Sequence, residues 1–150
     1  MRQAILLSAC LLLPGTLAAQ AQQPLVGSWA VTVPAGMRME NGVATPMQAT
    51  GALTVRVEGD SLIGTLKMEP IEDASDRPAT RLTAKFAAGA VVFISRSVAN
   101  NGQGETATLV STYSLEATGD TLKGTLTRAL EGYVTARGDR PQPISGKRVK

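Results

Sequence analysis

Residues 59–66 read GDSLIGTL and residues 119–126 read GDTLKGTL, almost the same octet sixty positions apart. Each follows a strand-like run and begins another. Before the first, Leu53, Val55 and Val57 alternate with Thr54, Arg56 and Glu58. After its Gly-Asp, Leu62, Leu66 and Met68 share one face with Gly64, while Ile63, Thr65 and Lys67 take the other. Before the second octet, residues 113–118 (YSLEAT) alternate in the same way. A period of two is the mark of a strand with one buried face. Gly-Asp suits a two-residue turn, with glycine taking the positive φ of the first central position. Each octet is therefore read as the return limb of a β-hairpin. Gly64 and Gly124 fall between inward leucines, where glycine marks a tight bend or a close backbone approach. Asp60 and Asp120 could pair as catalytic carboxylates only if two separate turns met at one pocket. Their turn positions explain them conformationally.

The rest of the chain follows the same pattern. Leu25, Gly27, Trp29, Val31 and Val33 fall on one face; so do Leu82, Ala84 and Phe86, and then Leu109, Tyr113, Leu115 and Ala117. Arg96 places Val91 and Phe93 inward. Eight strands are predicted, at 25–33, 49–58, 61–69, 80–86, 90–97, 106–118, 121–130 and 144–150. No segment carries a sustained 3.6-residue period, and a turn or two near Ile71–Ser75 is the only helix expected. Eight sequential antiparallel strands on short turns favour an all-β, up-and-down barrel, which leaves no exposed edge.

Residues 1–21 have the layout of a secretory signal peptide. Arg2 precedes an apolar run from Ala4 to Leu13, and Ala19-Gln20-Ala21 supplies small residues at cleavage spacing. The run is too short to cross a bilayer as a mature helix. The expectation is one domain over residues 22–150, soluble and periplasmic or secreted after cleavage near Ala21. The rival is a lipoprotein acylated at Cys10, because Leu7-Ser8-Ala9-Cys10 resembles a bacterial lipobox. Without residues 1–21 the chain holds neither cysteine nor histidine. Nucleophile systems built on Ser-His-Asp or Cys-His are then excluded, as are the usual zinc, copper and non-haem iron sites. No metal and no cofactor is expected. The net charge of +3 includes Arg2. Seven basic and two acidic residues stand from Lys123 onward, without the aromatic interleaving of a nucleic-acid surface. That segment is read as a solvated face, with no nucleic-acid partner.

Gly27-Ser28-Trp29 on the first strand, with Arg148 in the terminal ISGKRVK, resembles the calycin pattern shared by lipocalins, fatty-acid-binding proteins and avidins. The GD-x-L-x-GT hairpins are similar to those of bacterial exported lipocalin-like domains. The resemblance implies that Trp29 closes the barrel base and that Arg148 packs across it, with Lys147 as the substitute. A guanidinium over an indole gains cation–π energy. The chain departs from avidins in having a single tryptophan, and from secreted lipocalins in lacking their cysteine pair and helix.

An eight-stranded barrel either fills with side chains or holds one small ligand, and the inward list does not decide between them. An apolar or lipid-like guest is the natural binding expectation, with Met37, Met39, Phe86, Phe93 and Tyr113 as candidate contacts. Met37, Met39 and Met47 lie in the segment Pro34–Gln48, read either as a lid over the open end or as a long hairpin loop or extra strand whose methionines cover the core. Arg137-Gly138-Asp139 matches a short integrin-binding tripeptide and is read as a turn. Three classes follow: a non-catalytic small-molecule binder, a filled-barrel interaction domain of the cell envelope, and a cofactor-free isomerase or lyase. The last needs an inward acid or tyrosine with a perturbed pKa, for which Tyr113 is the visible candidate.

Overall fold

The computed structural model describes residues 23–70, 78–87, 90–100, 104–133 and 140–150. Eight antiparallel strands follow one another around a closed barrel: β1 (Gly27–Glu40), β2 (Val43–Glu58), β3 (Ser61–Met68), β4 (Thr80–Ala87), β5 (Ala90–Asn100), β6 (Thr106–Thr118), β7 (Thr121–Leu130) and β8 (Gln142–Arg148). Closure is made by β1 and β8, paired from Trp29↔Arg148 to Thr32↔Ser145. The all-β, up-and-down barrel expected from the alternation is the fold, and β6 and β7 start and stop where the period-two pattern places them. The short helix expected near Ile71–Ser75 falls outside the described residues, as do residues 1–21 with Cys10, and Arg137-Gly138-Asp139.

Several boundaries shift: β3 ends at Met68, β4 at Ala87, β5 at Asn100 and β8 at Arg148, and three further differences have identifiable reasons. Leu25 belongs to a single 3-10 turn (Gln23–Leu25) that precedes β1. β1 does not stop at Pro34 but continues to Glu40, because a bulge between Pro34 and Gly36 absorbs the proline and restores pairing to β2. Pro34–Gln48 is accordingly not a lid but extra strand, the distal part of a long hairpin turned at Asn41-Gly42 with φ of 50° and 78°, and its Met37 and Met39 are exposed instead of covering the core. Positive φ at both central residues is the type I′ turn for which Asn-Gly is the strongest short signal. At the other end, β8 begins at Gln142, because Pro143 lies beyond the last β1–β8 pair and has only β7 beside it.

The two ends of the barrel differ. The β2–β3, β4–β5 and β6–β7 links are two residues each and lie at one end. Gly59 and Gly119 have φ of 59° and 58°, and their aspartates are not left-handed, the signature of a type II′ turn. The same end carries the 3-10 turn, whose Leu25 carbonyl accepts the indole N–H of Trp29 at 2.9 Å. Arg148 lies over that indole, its guanidinium carbon 4.2 Å from the ring centroid. It also donates to the carbonyls of Val26 (2.9 Å) and Pro24 (2.7 Å). Gly27, at φ +133°, leaves room for it: a Cβ there would meet Arg148 Nη1 at 2.6 Å. This end is closed. The β1–β2 arm and the strand ends at Met68, Thr80, Asn100, Thr106, Leu130 and Gln142 lie at the opposite end.

Inward side chains are mainly apolar and outward ones mainly polar, so β2 runs buried-exposed from Gly51 to Arg56. That is the reverse of a transmembrane barrel, which turns its apolar face outward. Among the described residues no helix is long and apolar enough to cross a membrane. Trp29, Phe93, Leu62, Leu82, Leu122 and Leu126 are fully buried, and each such burial contributes about 1.5–3 kcal/mol. On the outer wall Glu58 accepts from Arg56 and Arg81, each at 2.6 Å, tying β2 to β4 across β3. Those hydrogen bonds, Arg56's first, hold its carboxyl below the usual carboxylate range.

Candidate functional site

The barrel is filled in its closed half and hollow in its open half. Beneath Tyr113 the space enclosed by Val31, Leu53, Leu82, Leu115 and Ile144 is only about 10 Å³, at the threshold for one water. Above Tyr113 a cavity of about 400 Å³ opens toward the end that carries the β1–β2 arm, within the size range of small-molecule sites. Its apolar wall comes from Val33, Ala49, Leu66, Met68 and Leu109; its polar groups are Thr80, Ser95, Ser97, Ser111, Tyr113, Glu69 and Arg128.

Register explains this lining. On β5 the inward positions run Val91, Phe93, Ser95, Ser97, opposite Leu115, Tyr113, Ser111 and Leu109 on β6. The apolar Val91–Leu115 pair thus lies in the closed half, and the one hydroxyl pair, Ser95–Ser111, lies next to Tyr113 at the floor. Ser95, Ser111 and Tyr113 are buried, and the phenol hydrogen-bonds both serines. Burial pushes the Tyr113 pKa upward; the charge of Arg128 and the two serine hydrogen bonds oppose that shift without cancelling it. The phenol is therefore un-ionised at neutral pH and acts as a hydroxyl, not as a base. Arg128 follows Leu126 on the inward side of β7, opposite Ser111. β8 has no pairs above Thr32 and Leu126, so β1 and β7 flank a seam there. Arg128 spans it, donating to the Pro34 carbonyl at 3.0 Å. Glu69, on the rim, accepts a hydrogen bond from the Thr50 hydroxyl.

The candidates read from sequence are only partly brought together: Phe93 and Tyr113 are cross-strand partners on the inward face, and the methionines stand apart. Tyr113 forms the cavity floor. Phe93 is wholly buried in the packed core below. Met37 and Met39 stand exposed on the β1–β2 arm, outside the cavity wall, because the bulge at Ala35 turns them to the face shared with Pro46 and Ala44. The backbone of Phe86 pairs with Val91, and its side chain lies outside the described residues. Ser95, Ser97, Ser111 and Arg128 were missed, although extending the parity of Val91 and Phe93, or of Tyr113 and Leu126, points to each.

Among the described residues no three acidic, histidine or cysteine side chains cluster where they could hold a metal ion. In comparisons with known proteins, no family model, no curated protein and no solved structure matches the chain. Its resemblance to calycins rests on the residues quoted above.

Proposed function

We propose that this barrel binds one small, mostly apolar molecule without transforming it, and that the hydrogen-bonding end of the guest rests on the Tyr113–Ser95–Ser111 floor. The observation that carries this reading is the half-filled lumen: a cavity of about 400 Å³ with an apolar wall from Val33, Ala49, Leu66, Met68 and Leu109, polar groups including Glu69 and Arg128 around it, and convergent buried hydroxyls at its base. Apolar sites with a few placed polar groups are the usual form of ligand pocket. Proton-transfer chemistry is disfavoured by the direction of the Tyr113 shift, which is away from the neutral range a catalytic base needs.

The test is titration with a polarity-sensitive apolar fluorophore. Saturable binding at one site per chain is expected. Ala49→Trp, which places an indole in the cavity wall, should weaken it at least about tenfold, a loss of about 1.4 kcal/mol. Ser28→Trp, on the outer wall, should leave it unchanged. Tyr113→Phe should cost about 1 kcal/mol for a guest that uses the hydroxyl. Equal binding by the native chain and Ala49→Trp would sink the proposal.

We infer further that the barrel is exported, from the signal-like residues 1–21. Intact-mass measurement of the chain recovered outside the cytoplasm should find it beginning at Gln22. An acylated chain beginning at Cys10 would instead establish a lipid anchor.

A further inference from the structure

The β1–β2 hairpin rises out of the barrel wall. β8 stops pairing with β1 at Thr32 and β3 stops pairing with β2 at Gly51, with one more backbone bond from Glu69 N–H to the Thr50 carbonyl. Among the described residues, the strands between Val33 and Gln48 pair only with each other. Such an arm presents two rows of unsatisfied backbone groups. The two-residue turn at Asn41-Gly42 makes Glu40 and Val43 a hydrogen-bonded pair. Alternation then directs Gly36 and Arg38 toward β2, and leaves the N–H and C=O of Met37 and Met39 pointing away. On β2 the outward positions are Ala44, Pro46 and Gln48, and Pro46, between the other two, has no N–H to offer. The β2 edge is blunted as edge strands commonly are, whereas the β1 edge is open. Its two free rungs carry side chains that are 54% and 67% exposed.

The side chains between those rungs are self-complementary. Arg38 and Glu40 lie two apart on one face, and among the described residues neither is in an ion pair. We propose that this edge pairs with the same edge of a second copy of the chain, antiparallel about a two-fold axis through Met39. Met39 then forms a hydrogen-bonded rung with its symmetry mate, and each Arg38 stands directly opposite the other copy's Glu40. Opposite charges directly across an antiparallel pair are favourable and like charges are not. Centring the axis on Arg38 sets two guanidinium groups against each other, and centring it on Met37 sets Arg38 against Gly36. The charge order Arg-Met-Glu therefore selects the register, and the symmetry of an isologous interface doubles every contact. Methionine suits the contact because its flexible thioether adapts to its mate. This surface is separate from the cavity above Tyr113.

Sedimentation of the full chain over about 1 µM to about 1 mM tests it, a range chosen because an interface this small is weak. The native chain should convert from monomer to dimer as concentration rises. Arg38→Glu and Glu40→Arg should each weaken the dimer about tenfold or more, and the double exchange should restore it to within about threefold. Met39→Pro should also weaken it, because it removes an outward donor while keeping the bonds within the hairpin. Far-ultraviolet circular dichroism checks that each variant keeps the sheet. A native chain monomeric throughout, a dimer indifferent to Arg38→Glu and Met39→Pro, or a double exchange that fails to rescue would each overturn the proposal.

Discussion

Tyr113 shows how the position of one residue sets its chemistry. Its phenol sits at the boundary between packed core and open cavity, and burial raises its pKa above the ordinary 10.0. In the unfolded chain the same phenol loses its proton near that ordinary value. Between the two pKa values the unfolded state binds fewer protons than the folded one, so stability falls as pH rises. The contribution is complete below about pH 10 and is lost as pH climbs through the raised folded value. In a Tyr133→Phe background, which leaves Tyr113 as the single phenol, phenolate absorbance should show a midpoint above that of the denatured chain. A coincident midpoint would mean that the phenol is in water. Arg148 makes a different point. It serves one ring, two carbonyls and, at 3.5 Å, the carboxylate of Asp120. Lysine has no planar fork with which to replace those contacts.

At the scale of elements, the repeated octets make equivalent hairpins but use their inner glycines differently. A Cβ at Gly64 would come 3.2 Å from Leu82 Cβ and 3.3 Å from its Cδ1, a tight contact that a shift of a few tenths of an ångström relieves. A Cβ at Gly124 would overlap the Ser114 carbonyl oxygen and come within 2.8 Å of Leu115 Cδ2. Backbone cannot step aside without disturbing the β6–β7 pairing. Gly124→Ala should therefore destabilise by about 2–3 kcal/mol and Gly64→Ala by about 1 kcal/mol or less, following the cost of overpacking a tight interior. Chemical denaturation of both variants checks the order, and equal costs would show that the octets are mechanically interchangeable. The β1–β2 hairpin is the other instructive element. Asn41-Gly42 is a strong turn signal, yet Pro34 and Pro46 interrupt the alternation on either side of it. The bulge at Ala35 then shifts parity by one. Reading through the prolines required knowing that one sits at a bulge and the other on an outer edge.

For the whole molecule, local physics made the strands legible and left their meeting across the lumen undetermined. Alternation at Leu53–Glu58 or Tyr113–Thr118 settles which side of a strand is apolar, since successive side chains point to opposite faces whatever lies beyond. Gly-Asp at residues 59–60 and 119–120 settles two turns, because the backbone there needs a φ that glycine tolerates. From such signals come eight strands, their order and a closed antiparallel barrel. Whether that barrel is full is another matter, because it depends on summed side-chain volumes at each level. Trp29 and Phe93 fill the level below Tyr113, whereas the serines of β5 and β6 leave the level above it open. The seam spanned by Arg128 likewise exists because β8 is shorter than β1 and β7, a difference that becomes an opening only on closure. Sidedness and turning belong to each short stretch of chain, whereas hollowness and openings arise only when all eight stretches are brought around one axis.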